Sequence, residues 1–194
     1  MKKFIMILLS VCFYSLTFAQ SLIERKDTIQ INEITYKLKW DFGGGTIFEI
    51  GDIHNSLLGN YVVTKKGYST SIGAFKKVKL AQESKDAEII KEVFSKEEIM
   101  ALKNSYPESM NPKVYHLAKP CLQYAVALDL NGKILNIKFR FQTYPGILKN
   151  LKPERIYQLE KRFREELKFV IPQEYKEWYD YIPSWFYRVD FDSL

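Results

Sequence analysis

Few residues in this chain have the types and spacing for chemistry. Asp52 and His54 stand two apart and could reach one cation, and the other of the two histidines is His116, far along the chain. A zinc site takes three or four ligands, and neither a third local ligand nor a Glu-x-x-His pair accompanies them, so no metal is expected. The same histidines would have to serve a hydrolytic triad, but there is no Gly-x-Ser-x-Gly elbow to present a serine. Gly43-Gly44-Gly45 has the composition of a phosphate-cradling loop. Thr46 to Ile50 follows as a strand, however, whereas phosphate loops lead into a helix N-terminus and carry a Lys-Ser/Thr pair. A flexible hairpin loop is the expectation there. Glu97-Glu98 and Glu165-Glu166 read as solvated helix surface. Glycosidase chemistry would need two facing carboxylates from different elements. Trp178 to Phe186 could stack on a carbohydrate or peptide, although core packing accounts for such rings equally well. The residues thus nominate no catalytic, cofactor-binding or metal-ligating set. Enzyme activity is left open, with a non-enzymatic role favoured.

The remaining reactive candidate is cysteine, and its interpretation depends on the N-terminus. Lys2 and Lys3, the apolar run from Phe4 to Leu9, and Thr17-Phe18-Ala19 have the form of a secretory signal peptide cut before Gln20. The run is too short for a lasting transmembrane anchor. Val11 before Cys12 fits a lipobox poorly, so lipidation at Cys12 is not expected. Loss of residues 1–19 removes Cys12 and leaves Cys121 alone, which excludes an intramolecular disulfide. A single cysteine opening an apolar strand reads as a small buried hydrophobe. The remaining 27 basic and 23 acidic side chains give +4, spread along the chain, which is ordinary surface and no nucleic-acid footprint. With 46% hydrophobic and 15% aromatic residues, 20–194 is expected to be a single globular domain.

The elements that would carry any site are set by pattern. Ile29 and Ile31 alternate, the parity switches at Asn32-Glu33 through a turn or bulge, and Ile34, Tyr36, Leu38 and Trp40 alternate again. Turn signals at Gly51-Asp52 and Asn55-Ser56 bound the strand after the glycines. Tyr61–Thr64 and Tyr68–Ile72 form a hairpin across Lys65-Lys66-Gly67, and Phe75–Leu80 alternates partly as a strand. Ser84 is placed to cap a first helix, with Asp86 in its first turn. Ser95 and Glu98 form the capping box of a second helix, with Phe94 and Ile99 as a hydrophobic staple, and it ends before Tyr106-Pro107. Residues 107–120 form a loop.

The best-specified unit runs from Leu122 to Ile171. Asn131-Gly132 calls for a two-residue type I′ turn. That turn pairs Leu130 with Lys133, Leu128 with Leu135, Val126 with Ile137, Tyr124 with Phe139 and Leu122 with Phe141. The apolar side chains then share one face, and Ala127–Asn136, Ala125–Lys138 and Gln123–Arg140 lie on the other. Gly132→Val is expected to cost about 1–2 kcal/mol through strain at φ > 0. After a turn at Tyr144-Pro145-Gly146, Pro153 suits the first turn of a helix. Its stripe of Ile156, Leu159, Phe163, Leu167 and Val170 runs until Pro172 stops it, with Glu154, Arg155, Glu160, Lys161, Arg164 and Glu165 on the outer face. Trp185, Tyr187, Val189 and Phe191 alternate as a last strand, so a chain ending at Pro183 should be insoluble.

Thr17-Phe18-Ala19-Gln20 resembles the signal ends of exported proteins of the Bacteroidota. The strand, Asp129-Leu130-Asn131-Gly132-Lys133 turn, strand and helix of residues 122–171 resemble the C-terminal domain of TonB-type energy transducers. That resemblance implies a similar α+β packing. It does not imply energy transduction, because the Pro-rich spacer and lasting inner-membrane anchor of that family are missing. The expected fold is α+β, mainly an antiparallel sheet with two or three helices packed on one face. The expected role is an exported (periplasmic or extracellular), non-enzymatic binding protein of the cell envelope, with an envelope protein or glycan as partner and oligomeric state open. An exported glycan- or peptide-directed hydrolase and a small-ligand carrier are the alternatives.

Overall fold

The computed structural model describes residues 28–41, 47–52, 57–58, 61–71, 75–104, 119–142, 152–184 and 187–194. The signal segment, Gly43-Gly44-Gly45, Asn55-Ser56, His54, His116, Trp185, most of the loop before Cys121 and the turn at Tyr144 lie outside the described residues. β1 (Thr28–Ile31), β2 (Ile34–Asp41) and β3 (Ile47–Asp52) form an antiparallel meander, joined to β8 (Ile134–Gln142), which pairs β7 (Cys121–Leu128). Two short strands, β10 (Ile182–Pro183) and β11 (Tyr187–Asp190), share the far edge of β7, and every pairing in this seven-stranded sheet is antiparallel. The fold is α+β. Asn32, at φ 55°, makes the parity switch a tight turn, with Ile31 opposite Ile34. β2 and β3 pair antiparallel from Asp41↔Ile47 to Tyr36↔Asp52. Gly51-Asp52, expected as a turn, instead continues β3, since Gly51 pairs both Lys37 and Lys138.

The apolar face of the β7–β8 hairpin carries the core. Pairing follows the expected register from Leu122↔Phe141 to Ala127↔Asn136, then shifts, so that Leu128 meets Ile134 and not Leu135. The cause is the turn. Gly132 N–H donates to Asp129 O (3.0 Å) and Asp129 N–H to Lys133 O (2.9 Å), which closes a five-residue loop with Gly132 alone at positive φ, +83°. This is a type I turn followed by a left-handed glycine, and the expected type I′ turn with its Leu130–Lys133 pair is not formed. Asp129 Oδ1 accepts the N–H groups of Asn131 (2.9 Å) and Lys133 (2.8 Å), which biases the chain to the longer loop. Leu135 is consequently 41% exposed, while Ile134 is buried.

Helices α1 (Lys85–Val93), α2 (Lys96–Lys103) and α3 (Pro153–Glu166) follow the apolar periodicity. Phe163 of α3 sits edge-on to Tyr124 (4.9 Å) and Phe139 (5.7 Å), and Phe94 at the end of α1 meets Phe141 (6.5 Å), so both helices lie on one face of the sheet. The capping box of Ser95 and Glu98 is complete, and Phe94 and Ile99 are both buried. Ser84 departs from expectation. Its φ is +63° and its hydroxyl caps nothing; Asp86 Oδ1 instead accepts the N–H of Ala87 at 2.8 Å.

α3 is shorter than the stripe implied. It ends at Glu166, because Leu167 is its last buried position and the next residues extend to pair β9 (Phe169–Val170) with β6 (Lys79–Leu80). Val170 is therefore 58% exposed, and Pro172 precedes a new helix, α4 (Gln173–Trp178), absent from the sequence reading. Of the expected Phe75–Leu80 strand only Lys79–Leu80 forms, Phe75 standing instead in a turn. Glu160, expected among the outward charges, is 3% exposed. It accepts Tyr36 Oη at 2.8 Å and Arg164 Nη2 and Nε at 2.6 and 2.9 Å, so the carboxylate is paired on both oxygens. The bond ties β2 to α3. The last strand is shorter than the alternation implies: Tyr187–Asp190 pairs β7 with Val189 buried, while Phe191, also buried, opens a 3-10 turn and Trp185 lies outside the described residues.

Candidate functional site

Two surface features gather functional side chains. The first is a groove of about 500 Å³ between β6, the start of α1 and β11. Its inner wall holds Asp86 and Tyr187. Tyr124 donates its hydroxyl to Asp86 Oδ2 at 2.8 Å and stacks on Tyr187 with ring centroids 5.2 Å apart. Burial, then the Asp86 charge and hydrogen bond, hold the Tyr124 phenol far above its ordinary pKa, so it stays a donor. Tyr187 is also raised, by burial, against a lowering hydrogen bond from Ser184. Ser184 Oγ donates to Tyr187 Oη (2.9 Å), which donates to Val78 O (3.0 Å), linking β11 across the groove to the segment before β6. At the rim Arg188 Nε meets Asp190 Oδ1 at 2.6 Å. The groove's inner polar groups thus bind one another.

The second feature is a patch on the β4–β5 hairpin (β4, Tyr61–Val63; β5, Ser69–Ser71). Thr64 fixes the turn, its N–H donating to Tyr68 O (2.8 Å) and its Oγ1 accepting Tyr68 N–H (3.0 Å), while Gly67 takes φ +83°. The tip stands on the C-terminus of α4. There Lys65 N–H donates to Trp178 O (2.8 Å) and Lys65 Nζ to Lys176 O (3.1 Å), satisfying carbonyls a helix end leaves open. Lys66 Nζ lies 4.5 Å from the centre of the Trp178 ring, within cation–π range. Tyr175 and Tyr179 turn the other way, edge-on to buried Phe75 at 5.2 and 4.9 Å, and Tyr179 Oη donates to Thr70 Oγ1 at 3.2 Å. The aromatic tail therefore divides. The tyrosines pack, whereas Trp178 stays 42% exposed, and on the hairpin Tyr68 is 67% and Val63 60% exposed. The sequence offered Trp178 as a stacking residue, but Lys66 and Tyr68, some 110 positions earlier, carried no signal linking them to it.

The other sequence candidates fall elsewhere. Cys121 is fully buried, and burial pushes its thiol up to about 11, so it is a poor nucleophile. Glu98 completes the capping box and pairs Arg155, and Glu166 pairs Arg162 and Lys85, so each has a structural partner. Glu97 and Glu165 are exposed. Asp52 ends β3, and His54 and His116 lie outside the described residues. Among the described residues no cluster of His, Cys, Asp and Glu could hold a metal ion, and no helix is long and apolar enough to cross a membrane.

No protein-family model matches the chain, and no curated protein matches it. Among solved structures it is similar to a DUF5043 family protein from Bacteroides uniformis, at 15% sequence identity and a TM-score of 0.50, over 89% of this chain and 87% of that one. The likeness is one of fold, and it runs to a Bacteroides protein.

Proposed function

We propose that this chain is an exported, non-enzymatic binding protein of the cell envelope, built as one domain from 20 to 194 and docking through the Trp178 patch. The observation that carries the reading is the exposure of Trp178 where its neighbours Tyr175 and Tyr179 are committed to packing. A large ring held at the surface by Lys66 and the helix end below it is a ready contact for a partner. The signal-like N-terminus supports an envelope setting. The likeness of residues 122–171 to TonB-type C-terminal domains adds a packing pattern to this reading and no energy transduction.

One observation favours the hydrolase as second reading: Asp86 of α1 and Asp190 of β11 line the same groove. Both are engaged, Asp86 by Ala87 N–H and the Tyr124 hydroxyl and Asp190 by Arg188, so a free acid and base pair is not what they form. With Lys79, Glu83 and Arg188 also lining it, the groove is charged, which counts against an apolar ligand carrier. The test is capture from envelope extract by the exported chain and its Trp178→Ala variant, beside glycan and peptide panels. Capture that depends on Trp178 is expected. Capture indifferent to it would refute the patch, and turnover of a panel member that falls with Asp190→Asn would install the hydrolase.

A further inference from the structure

Resting on that reading of the patch, we propose that its partner is an anionic phospholipid surface, which the β4–β5 tip and Trp178 engage peripherally. From Tyr61 to Ser71 the hairpin carries Lys65 and Lys66 and no acidic residue. Val63, Lys65, Lys66 and Tyr68 are all exposed around the tip. A tryptophan, a tyrosine and lysines on such an end match the headgroup layer of a bilayer, where amphipathic rings sit at the interface and ammonium groups meet phosphate. Lys66 Nζ lies 4.5 Å from the Trp178 centroid, so the ammonium group and the ring stand together at this end. A phosphate would draw Lys66 outward and release the ring at the same moment. Glu177 and Asp180, both exposed, flank Trp178 in the chain and temper the positive charge, so the contact is weak, reversible and screened by salt.

The experiment is flotation of the exported chain with vesicles of phosphatidylcholine, with and without phosphatidylglycerol. Variants sharing one N-terminus are compared, so that residues 1–19 cannot account for a difference. Retention is expected on the anionic vesicles alone, to fall roughly fivefold with Lys66→Gln, the loss of one lysine near an anionic surface. Retention should fall again with Tyr68→Ser and disappear at high salt. Lys66 and Tyr68 are exposed, and unchanged melting curves will show that both variants fold. No retention by anionic vesicles, or retention unaltered by Lys66→Gln, overturns the lipid assignment. If the glycan or peptide panel is then bound in a Trp178-dependent way, the docking surface stands with a different partner. If nothing is bound, both readings fall.

Discussion

Gly132 and Gly67 provide a matched pair for measuring what a close backbone approach contributes to this fold. Both have φ of +83°, so alanine at either meets the same left-handed strain, about 1–2 kcal/mol. They differ in surroundings. Nothing lies within 4 Å of a Cβ built at Gly67. At Gly132 that Cβ would stand 2.0 Å from Phe169 O and 3.0 Å from Phe169 C, backbone atoms that no rotamer change can move. Alanine there must push β9 away, breaking the 3.3 Å bond from Phe169 N–H to Gly132 O and disturbing the β6–β9 pairs that continue from it. Loss of that bond adds about 1 kcal/mol, and an unsatisfied buried group about 1–3 more. Gly132→Ala should therefore cost about 3–6 kcal/mol against about 1–2 for Gly67→Ala. The strain estimate drawn from sequence for Gly132→Val is thus too small, because it omits Phe169. Urea unfolding of both alanine variants gives the difference directly. Equal losses would mean that β9 does not rest on the turn, and the account of where α3 ends would fail with it.

Tyr36→Phe should cost about 1–3 kcal/mol in the same assay, since it removes a hydrogen bond to the buried Glu160 carboxylate; a loss within error would show water replacing the hydroxyl. Cys121 favours its neutral form in the folded chain, with its thiol raised from 9.0 to about 11. Its contribution to stability is therefore full below pH 9 and declines as pH rises through 11; Cys121→Ala should flatten that alkaline limb, and an unchanged limb would refute the burial argument. A chain ending at Pro183 loses β11, Val189 and Phe191 and should be insoluble; soluble protein melting cooperatively would contradict the pairing of β11 with β7.

What could be read from the chain follows the range of the forces involved. The capping box at Ser95–Glu98 and the buried stripe of α3 are local patterns, and six pairs of the β7–β8 register follow from alternation. The turn between those strands is not set by pattern, because Asn-Gly suits two loops and the choice rests on Asp129 reaching Asn131 and Lys133. Val170 continued the helical period but belongs to β9, since pairing with Lys79 outweighs periodicity. Glu160 looked like surface charge because its partner Tyr36 is 124 positions away. The Trp178 patch was half legible for the same reason: the ring announced itself, and the hairpin that holds it did not.

β7 has a consequence for the order in which the molecule can be completed. It is flanked on one side by β8, reached through a short turn, and on the other by β10 and β11, drawn from the end of the chain. While the chain is being made, β7 and β8 can join early, but the opposite edge of β7 stays bare until β10 and β11 arrive. That edge runs through Leu122, Tyr124 and Val126, all fully buried once the sheet is closed. A nascent or truncated chain therefore displays an apolar strand with unpaired amides, the form in which one copy most readily pairs with another. Tyr187 to Leu194 act as the clasp that ends this exposure, and conditions that delay their docking should govern how much of the protein is lost to aggregation.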